Sequence, residues 1–141
     1  MKKIKLIISV FLVVLVSACN KADEVNFNEL IVGVWSSENV NINGIEGTDI
    51  NQWSGPSIAL NIKEGSEFYR NYLEGDWTLD KSKLTLSPNE NIQSIEWNYE
   101  ILELTESLLK LKIELTEGDY CCDFDQFDED EVLTIIETYR K

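Results

Sequence analysis

Apolar and polar residues alternate through most of the chain after about residue 30, and turn residues interrupt the alternation at short intervals. In residues 57–62, for example, Ile58, Leu60 and Ile62 share one face of an extended segment. A period of two with β-branched and aromatic residues predicts half-buried β-strands. The predicted strands cover residues 31–37, 57–62, 67–73, 76–80, 83–87, 95–104, 107–116 and 131–139.

Eight strands joined mostly by short turns predict an all-β fold, a single antiparallel up-and-down barrel. The alternation slips at Ile101 and Leu102, which predicts a β-bulge of the kind that bends a strand around a barrel. Helical periodicity is limited to one turn before Gly33. We expect residues 28–141 to form this one domain, with no second domain.

The first 19 residues have the layout of an export signal. Three lysines stand within the first five residues, an apolar run covers residues 6–16, and small residues lead to Cys19. The apolar run is too short to cross a membrane, so we interpret residues 1–18 as a signal peptide. The ending resembles a bacterial lipobox, and this resemblance implies cleavage before Cys19 and its acylation.

The segment that follows the cysteine is a short polar tether, residues 19–27. Residues 20–24, Asn-Lys-Ala-Asp-Glu, resemble the tag that Bacteroidetes-type lipoproteins use to reach the cell surface. A plain solvated tether is the alternative, because charged segments favour disorder. Both interpretations place the protein in the cell envelope, attached by its lipid to the outer membrane, with surface exposure left open.

The charge of the chain restricts its partners. It carries 26 Asp and Glu against 12 Lys and Arg, a formal net charge of −14. Such a surface repels nucleic acid and anionic lipid heads, so neither is expected as a partner. A basic protein remains a candidate partner, although the acidity also serves solubility.

The residue inventory argues against an enzyme. The chain has no histidine, which removes the commonest general base and the commonest metal ligand. Its seven glycines are well separated, so no phosphate-binding loop is present. We therefore predict no catalytic residue, no cofactor and no metal.

Two adjacent cysteines, Cys121 and Cys122, remain once Cys19 is acylated. An oxidising envelope permits a disulfide, but neighbouring cysteines can close only a small, strained ring. The alternative is two thiols on opposite faces of the chain. Structural zinc needs about four ligands, so this pair alone is not a zinc site.

Three segments in order resemble the small lipocalin-like lipoproteins of Bacteroidetes-type bacteria, and the resemblance spans about residues 28–116. The segments are 30–35 (Leu-Ile-Val-Gly-Val-Trp), 73–80 with 83–86, and 99–105 with 109–111. This resemblance implies a lipocalin-like barrel and supports the fold much more than any activity.

Gly33-x-Trp35 is also similar to the Gly-x-Trp signature of lipocalins. The resemblance implies that Trp35 plugs the closed end of the barrel beneath an arginine near the end of the chain. Arg140 is the expected counterpart, through a cation–π contact with a structural role.

The long connection of residues 38–55 is the first candidate for ligand contact, because loops of this length are usually functional or disordered. In lipocalins the corresponding loop covers the open mouth, so Ile45, Ile50 and Trp53 could close over a ligand. Alternatively, Trp53 pins the chain before Pro56.

Arg70 is the second candidate, on a predicted face that it shares with Phe68 and Tyr72. Facing inward it could pair with the carboxylate of a fatty-acid-like ligand, and facing outward it is a surface charge. The outward position is favoured. Trp97 and Tyr99 could contact a ligand, but are favoured as core residues.

Residues 117–131 form an acidic segment with eight carboxylates. Its spacing breaks the pattern of a calcium-binding EF-hand. A solvated loop is favoured, and a docking surface for a basic protein, with Phe124 and Phe127 as apolar anchors, is the alternative.

Together these features predict an outer-membrane or surface-anchored lipoprotein whose lipocalin-like barrel binds a small apolar ligand without catalysis. A protein-binding module with an acidic docking surface is the main alternative. A purely structural role in the envelope is the other.

Overall fold

The computed structural model of the chain describes residues 26–50, 58–89, 95–120 and 126–141. Within these ranges it contains two short α-helices, one 3₁₀ turn at Gly47–Asp49 and nine β-strands. The elements are α1 (Phe27–Ile31), β1 (Gly33–Ile42), β2 (Ile45–Glu46), β3 (Ala59–Ile62), β4 (Glu67–Arg70), β5 (Leu73–Asp80), β6 (Lys83–Pro88), β7 (Trp97–Leu104), β8 (Leu108–Thr116), α2 (Glu117–Tyr120) and β9 (Val132–Arg140).

Eight of the strands form a closed antiparallel barrel. β1 pairs with β3, and each strand from β3 to β9 pairs with the next. β9 then pairs back with β1, from Ser36 opposite Arg140 to Ile42 opposite Ile135, which closes the ring. The two-residue strand β2 is an addition to β1. The predicted all-β, eight-stranded, up-and-down barrel is confirmed.

Strand β1 is longer than the sequence pattern suggested. Residues 38–42, predicted as part of a long loop, continue the strand, and Val40 and Ile42 are buried. Asn43 and Gly44 then turn the chain tightly into β2, with φ values of 51° and 87°. Asn and Gly tolerate positive φ, which is what a two-residue hairpin turn requires. The prediction of a loop from residue 38 is therefore wrong.

Strand β4 is shorter than predicted. It ends at Arg70, because Asn71 adopts a φ of 54° and its side chain accepts a hydrogen bond from the Ala59 amide at 3.0 Å. The turn carries Tyr72 outward, where it is 96% exposed. The prediction that Tyr72 shares a face with Phe68 and Arg70 is wrong.

The predicted bulge is present. The pairing of β7 with β8 shifts register between Ile101 and Glu103, and Leu102 between them is exposed. Away from the turns, burial along the strands follows the alternation of apolar and polar residues in the sequence. The inward positions on β3, β6, β7 and β8 are occupied by Leu60, Ile62, Leu84, Leu86, Trp97, Tyr99, Ile101, Leu109, Leu111 and Ile113, all buried.

One end of the barrel is closed by α1 and Trp35, and we call it the α1 end. The Trp35 ring is fully buried, and its indole nitrogen donates a hydrogen bond to the Ile31 carbonyl oxygen at 2.8 Å. The Lys141 ammonium lies 4.5 Å from the centre of that ring and donates to the Leu30 carbonyl oxygen at 2.9 Å. Lys141 thus ties α1 to the barrel.

This arrangement corrects the role expected of Arg140. The Arg140 side chain points outward and forms an exposed ion pair with Glu38 at 3.0 Å, and it is Lys141 that lies over Trp35. Strand alternation explains the difference, since Tyr139 faces inward and Arg140 must face solvent. Gly33 makes room for Lys141, because a Cβ at position 33 would lie 2.3 Å from the Lys141 side chain. Its φ of +149° is also a conformation that other residues rarely adopt.

Candidate functional site

A buried ion pair crosses the interior of the barrel. The inward positions of β9 are apolar or aromatic except for Glu137, which is completely buried. Arg70, at the end of β4, is 5% exposed and places Nη2 2.6 Å from Glu137 Oε1. Arg70 and Glu137 are therefore in direct contact inside the barrel, and this pair is neutral overall.

Two tyrosines complete the surroundings of the Glu137 carboxylate. The Tyr139 hydroxyl donates to Oε2 at 2.5 Å, and the Tyr99 hydroxyl lies 3.5 Å from Oε1. Charge-assisted hydrogen bonds of this kind offset part of the cost of removing a carboxylate from water. Both Glu137 oxygens are consequently engaged by the protein itself.

Two aromatic rings lie against the Arg70 guanidinium. Its central carbon is 4.6 Å from the ring centre of Trp97 and 5.5 Å from that of Tyr120. Arg70 is the last residue of β4, Trp97 the first of β7, and Tyr120 lies on α2, directly after β8. Because neighbouring strands run antiparallel, these positions meet at the end of the barrel opposite α1. We call Arg70, Trp97 and Tyr120 the Arg70 cluster.

Each member of the Arg70 cluster contributes one polar atom that is unsatisfied within the described part of the chain. Arg70 Nε, Trp97 Nε1 and the Tyr120 hydroxyl are buried and have no hydrogen-bond partner among the described residues. An unsatisfied buried polar group costs about 1–3 kcal/mol, so such groups are rare in native proteins. Three of them, on Arg70 and on the two rings that lie against it, make this end of the barrel the candidate binding site for a hydrogen-bonding group.

The protonation states in the cluster are fixed over the ordinary pH range. Burial raises the pKa of Tyr99, Tyr120 and Tyr139, so these residues stay as neutral hydroxyls. Burial alone would lower the pKa of Arg70, but favourable electrostatic interactions with Tyr99 and Glu137 outweigh this effect, and the net pKa is raised. Arg70 therefore remains a cation.

The structure brings together three of the five predicted ligand-contact residues: Arg70, Trp97 and Tyr99. The favoured outward position of Arg70 is wrong, because Arg70 shares the inward face of β4 with Phe68 and meets Glu137 inside the barrel. Tyr72 lies outside the interior. Trp53 lies outside the described residues, as do Cys19, Cys121, Cys122 and Phe124.

The acidic segment is only partly a solvated loop. Its first residue, Glu117, begins α2 and is buried, and Phe127 packs half-buried against the core rather than standing free as an anchor. Asp128 to Glu131 are exposed. Among the described residues, no group of three or more acidic or cysteine side chains is arranged to hold a metal ion.

Sequence reasoning missed Glu137, Tyr139, Tyr120 and Lys141. For the first two a signal was present, since the alternation through Leu133 and Ile135 places positions 137 and 139 inward. A lone acid on such a face indicates a buried partner. Tyr120 carried no comparable signal, because a four-residue helix within an acidic segment has no periodicity to detect.

No protein-family model, curated protein or solved structure matches this chain. None of the helices in the described ranges has the length and apolar character needed to span a bilayer. The functional assignment therefore depends on the Arg70 cluster and on the residues around it.

Proposed function

We propose that this protein is a cell-envelope lipoprotein, anchored to the outer membrane by acylated Cys19, whose barrel binds a small, mainly apolar molecule. The observation that carries the proposal is the Arg70 cluster, a group of unsatisfied polar atoms at one end of an apolar interior. Small-molecule sites are usually lined by apolar and aromatic side chains with a few well-placed polar groups. The resemblance to lipocalin-like lipoproteins is consistent with this role.

The geometry favours entry from the end that carries the cluster. At the α1 end, Trp35 is fully buried and α1 and Lys141 cover it. At the other end, Arg70 and Trp97 occupy terminal positions of their strands. A molecule that enters there meets the polar cluster before it meets the apolar core.

The protein is proposed to bind without catalysis. The tyrosines of the interior hold their protons well above neutral pH, and Arg70 does not release its proton. Both oxygens of Glu137 are occupied by Arg70, Tyr99 and Tyr139. These groups can orient a ligand. Neither the Arg70 guanidinium nor the hydroxyls of the three tyrosines can exchange a proton readily near neutral pH.

The binding proposal can be tested with the full chain carrying Cys19→Ser and the neutral apolar dye Nile red. We expect saturable binding of one dye molecule per protein. Phe68→Trp, which adds volume beside Arg70, should weaken binding, and Val34→Trp on the exposed outer face should not. Absence of saturable binding, or equal binding by both variants, would refute a site inside the barrel.

The anchoring proposal has an independent test. Cys19→Ser removes the only residue in the lipobox-like sequence that can be acylated, so the exported protein should leave the membrane fraction as a folded, soluble domain. Each buried methylene of an acyl chain contributes about 0.8 kcal/mol to membrane binding, and the variant loses all of it. Tight membrane association of the variant would contradict lipid anchoring.

A protein-docking role is the second candidate, and one surface favours it. On the β4–β5 ribbon, Tyr69 and Tyr72 are exposed beside the carboxylates of Glu67, Glu74 and Asp76. Exposed tyrosines among acids suit a basic protein partner. Binding to such a partner should weaken steeply with salt, since surface charges are screened within about 10 Å at 0.1 M. Salt-independent binding would exclude this surface.

A further inference from the structure

We propose that the Arg70 cluster recognises an uncharged oxygen acceptor, such as a ketone, ester or amide carbonyl, on an otherwise apolar molecule. This inference rests on the proposed binding function and specifies the chemistry of its ligand. It follows from three properties of the cluster: its unsatisfied hydrogen-bond donors, its net charge and the Tyr120 ring that covers Arg70.

The three unsatisfied polar atoms of the cluster would be satisfied by a hydrogen-bond acceptor on the ligand. Arg70 Nε and Trp97 Nε1 can only donate a hydrogen bond, and the Tyr120 hydroxyl can donate one. A carbonyl oxygen has two lone pairs and can accept from two of these donors at once. A ligand ammonium group, which only donates, would leave Arg70 Nε and Trp97 Nε1 unsatisfied and would place a second cation beside Arg70.

The charge of the site favours a neutral head group. Arg70 and Glu137 already form a contact ion pair at 2.6 Å inside the barrel, so their charges cancel. A ligand carboxylate would add an uncompensated negative charge to this buried site, close to Glu137. Desolvating a charge is much more costly than desolvating a carbonyl, and the carbonyl can take the same hydrogen bonds.

Tyr120 is the side chain that an entering ligand would move. Its ring lies over the Arg70 guanidinium at 5.5 Å, and it belongs to a helix of only four residues. Its hydroxyl makes no close hydrogen bond to the described residues, so displacing it loses only its electrostatic interaction with Glu137. Trp97 and Arg70, in contrast, are held by the strand pairing of β7 and β4.

The proposal can be tested with three nine-carbon probes that differ in their head group: 2-nonanone, nonanoate and nonylammonium. The protein is the full chain with Cys19→Ser, and the readout is the indole N–H signal of Trp97 in ¹H–¹⁵N spectra, assigned with Trp97→Phe. We expect 2-nonanone to shift this signal downfield, as a new hydrogen bond requires. The indole signals of Trp35 and Trp77 serve as internal controls, because they already donate to Ile31 and Lys63.

Conservative variants supply a second signature. Tyr120→Phe removes one donor and keeps the ring, and Trp97→Phe removes one donor and replaces the indole by a smaller ring, so each should weaken 2-nonanone binding by about 2–10-fold. Since the Tyr120 hydroxyl has no close hydrogen-bond partner among the described residues without ligand, Tyr120→Phe should melt at an unchanged or higher temperature. Tyr69→Phe, on the outer face, should change neither property.

The outcomes separate this inference from the function on which it rests. If all three probes bind equally, or if nonanoate binds more tightly than 2-nonanone, the barrel binds apolar molecules but the inferred head group is wrong. If Trp97 already gives a hydrogen-bonded signal that no probe changes, water occupies the site and the inference is overturned. If no probe binds, both the inference and the proposed function fail.

Discussion

At the scale of single residues, the interior of this barrel depends on a charge pair whose members need each other. Arg70 and Glu137 lie on strands far apart in sequence, and both are buried. Two isolated charges in an apolar interior would be prohibitively costly, whereas a pair with additional hydrogen bonds is tolerated. Removing one member should therefore be worse than removing both.

A double-mutant cycle tests this dependence. We expect Arg70→Met and Glu137→Leu each to lower the free energy of unfolding by about 3–5 kcal/mol, because each leaves a buried charge unpaired. The double variant should lose much less than the sum of the two, as measured by urea unfolding.

The exposed pair of Arg140 and Glu38 provides the matched control, since about half of each side chain is in solvent. Exposed pairs contribute about 0–1 kcal/mol, so the same cycle there should show almost no coupling. Equal coupling energies for the Arg70–Glu137 and Arg140–Glu38 pairs would contradict the claim that the two buried residues depend on each other.

Trp35 is the second residue with a large expected effect. It is fully buried, its indole nitrogen is hydrogen-bonded to Ile31, and Lys141 covers its ring. Trp35→Ala should lower the free energy of unfolding by about 3–5 kcal/mol, because it empties a large core position. Tyr72→Ala, at a 96% exposed position, should change it by less than about 0.5 kcal/mol. A loss below about 1 kcal/mol for Trp35→Ala would contradict its role as a plug.

At the scale of elements, the close approach of β5 and β6 depends on one glycine. A Cβ at Gly75 would lie 2.1 Å from the Ser87 carbonyl oxygen, a backbone atom that cannot move aside without shifting β6. Gly118 on α2, by contrast, has open space around the same position. The two glycines therefore offer a matched comparison within one chain.

We expect Gly75→Ala to lower the free energy of unfolding by about 1–3 kcal/mol through this overlap. Gly118→Ala should leave it unchanged or raise it by up to about 1 kcal/mol, because alanine favours the helix. Thermal unfolding followed by circular dichroism measures both. A harmless Gly75→Ala would show that β5 and β6 are farther apart than described.

The elements also show how far sequence reasoning reaches. Alternation predicted all eight barrel strands and the bulge at Leu102, because a half-buried sheet imposes a period of two on its residues. It failed at turns, where one residue's conformation decides the outcome. The positive φ of Asn71 ends β4 and places Tyr72 outside the barrel. Strand β1 continues up to the Asn43–Gly44 turn, where a loop had been predicted.

The candidate site was predicted only in part, for a related reason. Arg70, Trp97 and Tyr99 were identified by residue type, but the pairing of Arg70 with Glu137 joins residues 67 positions apart. A pattern local to one strand cannot show which side chain lies across the barrel. The expectation for Arg140 failed for a different reason, because the alternation of β9 already places Arg140 on the outer face beside the inward Tyr139.

At the scale of the whole molecule, three buried tyrosines make stability sensitive to high pH. Tyrosine in the unfolded chain has a pKa near 10, and burial raises the pKa of Tyr99, Tyr120 and Tyr139 above it. Below about pH 10 both states keep their protons, so stability is unaffected. Above it only the unfolded state loses them, and unfolding is favoured.

We therefore expect the free energy of unfolding to fall above about pH 10 by about 1.4 kcal/mol per pH unit for each buried tyrosine. Urea midpoints measured from pH 8 to 12 test this, with Tyr120→Phe as a variant that should reduce the slope by one tyrosine. A midpoint that stays constant to pH 12 would contradict the burial of these hydroxyls.

The central claim for the whole molecule is that its barrel carries a small molecule. Native mass spectrometry of the protein purified from its own host, with the lipid tether removed, tests this most directly. We predict a reproducible additional mass that disappears on denaturation. A bare protein mass, with no uptake of 2-nonanone, fatty acids or sterols, would contradict the claim.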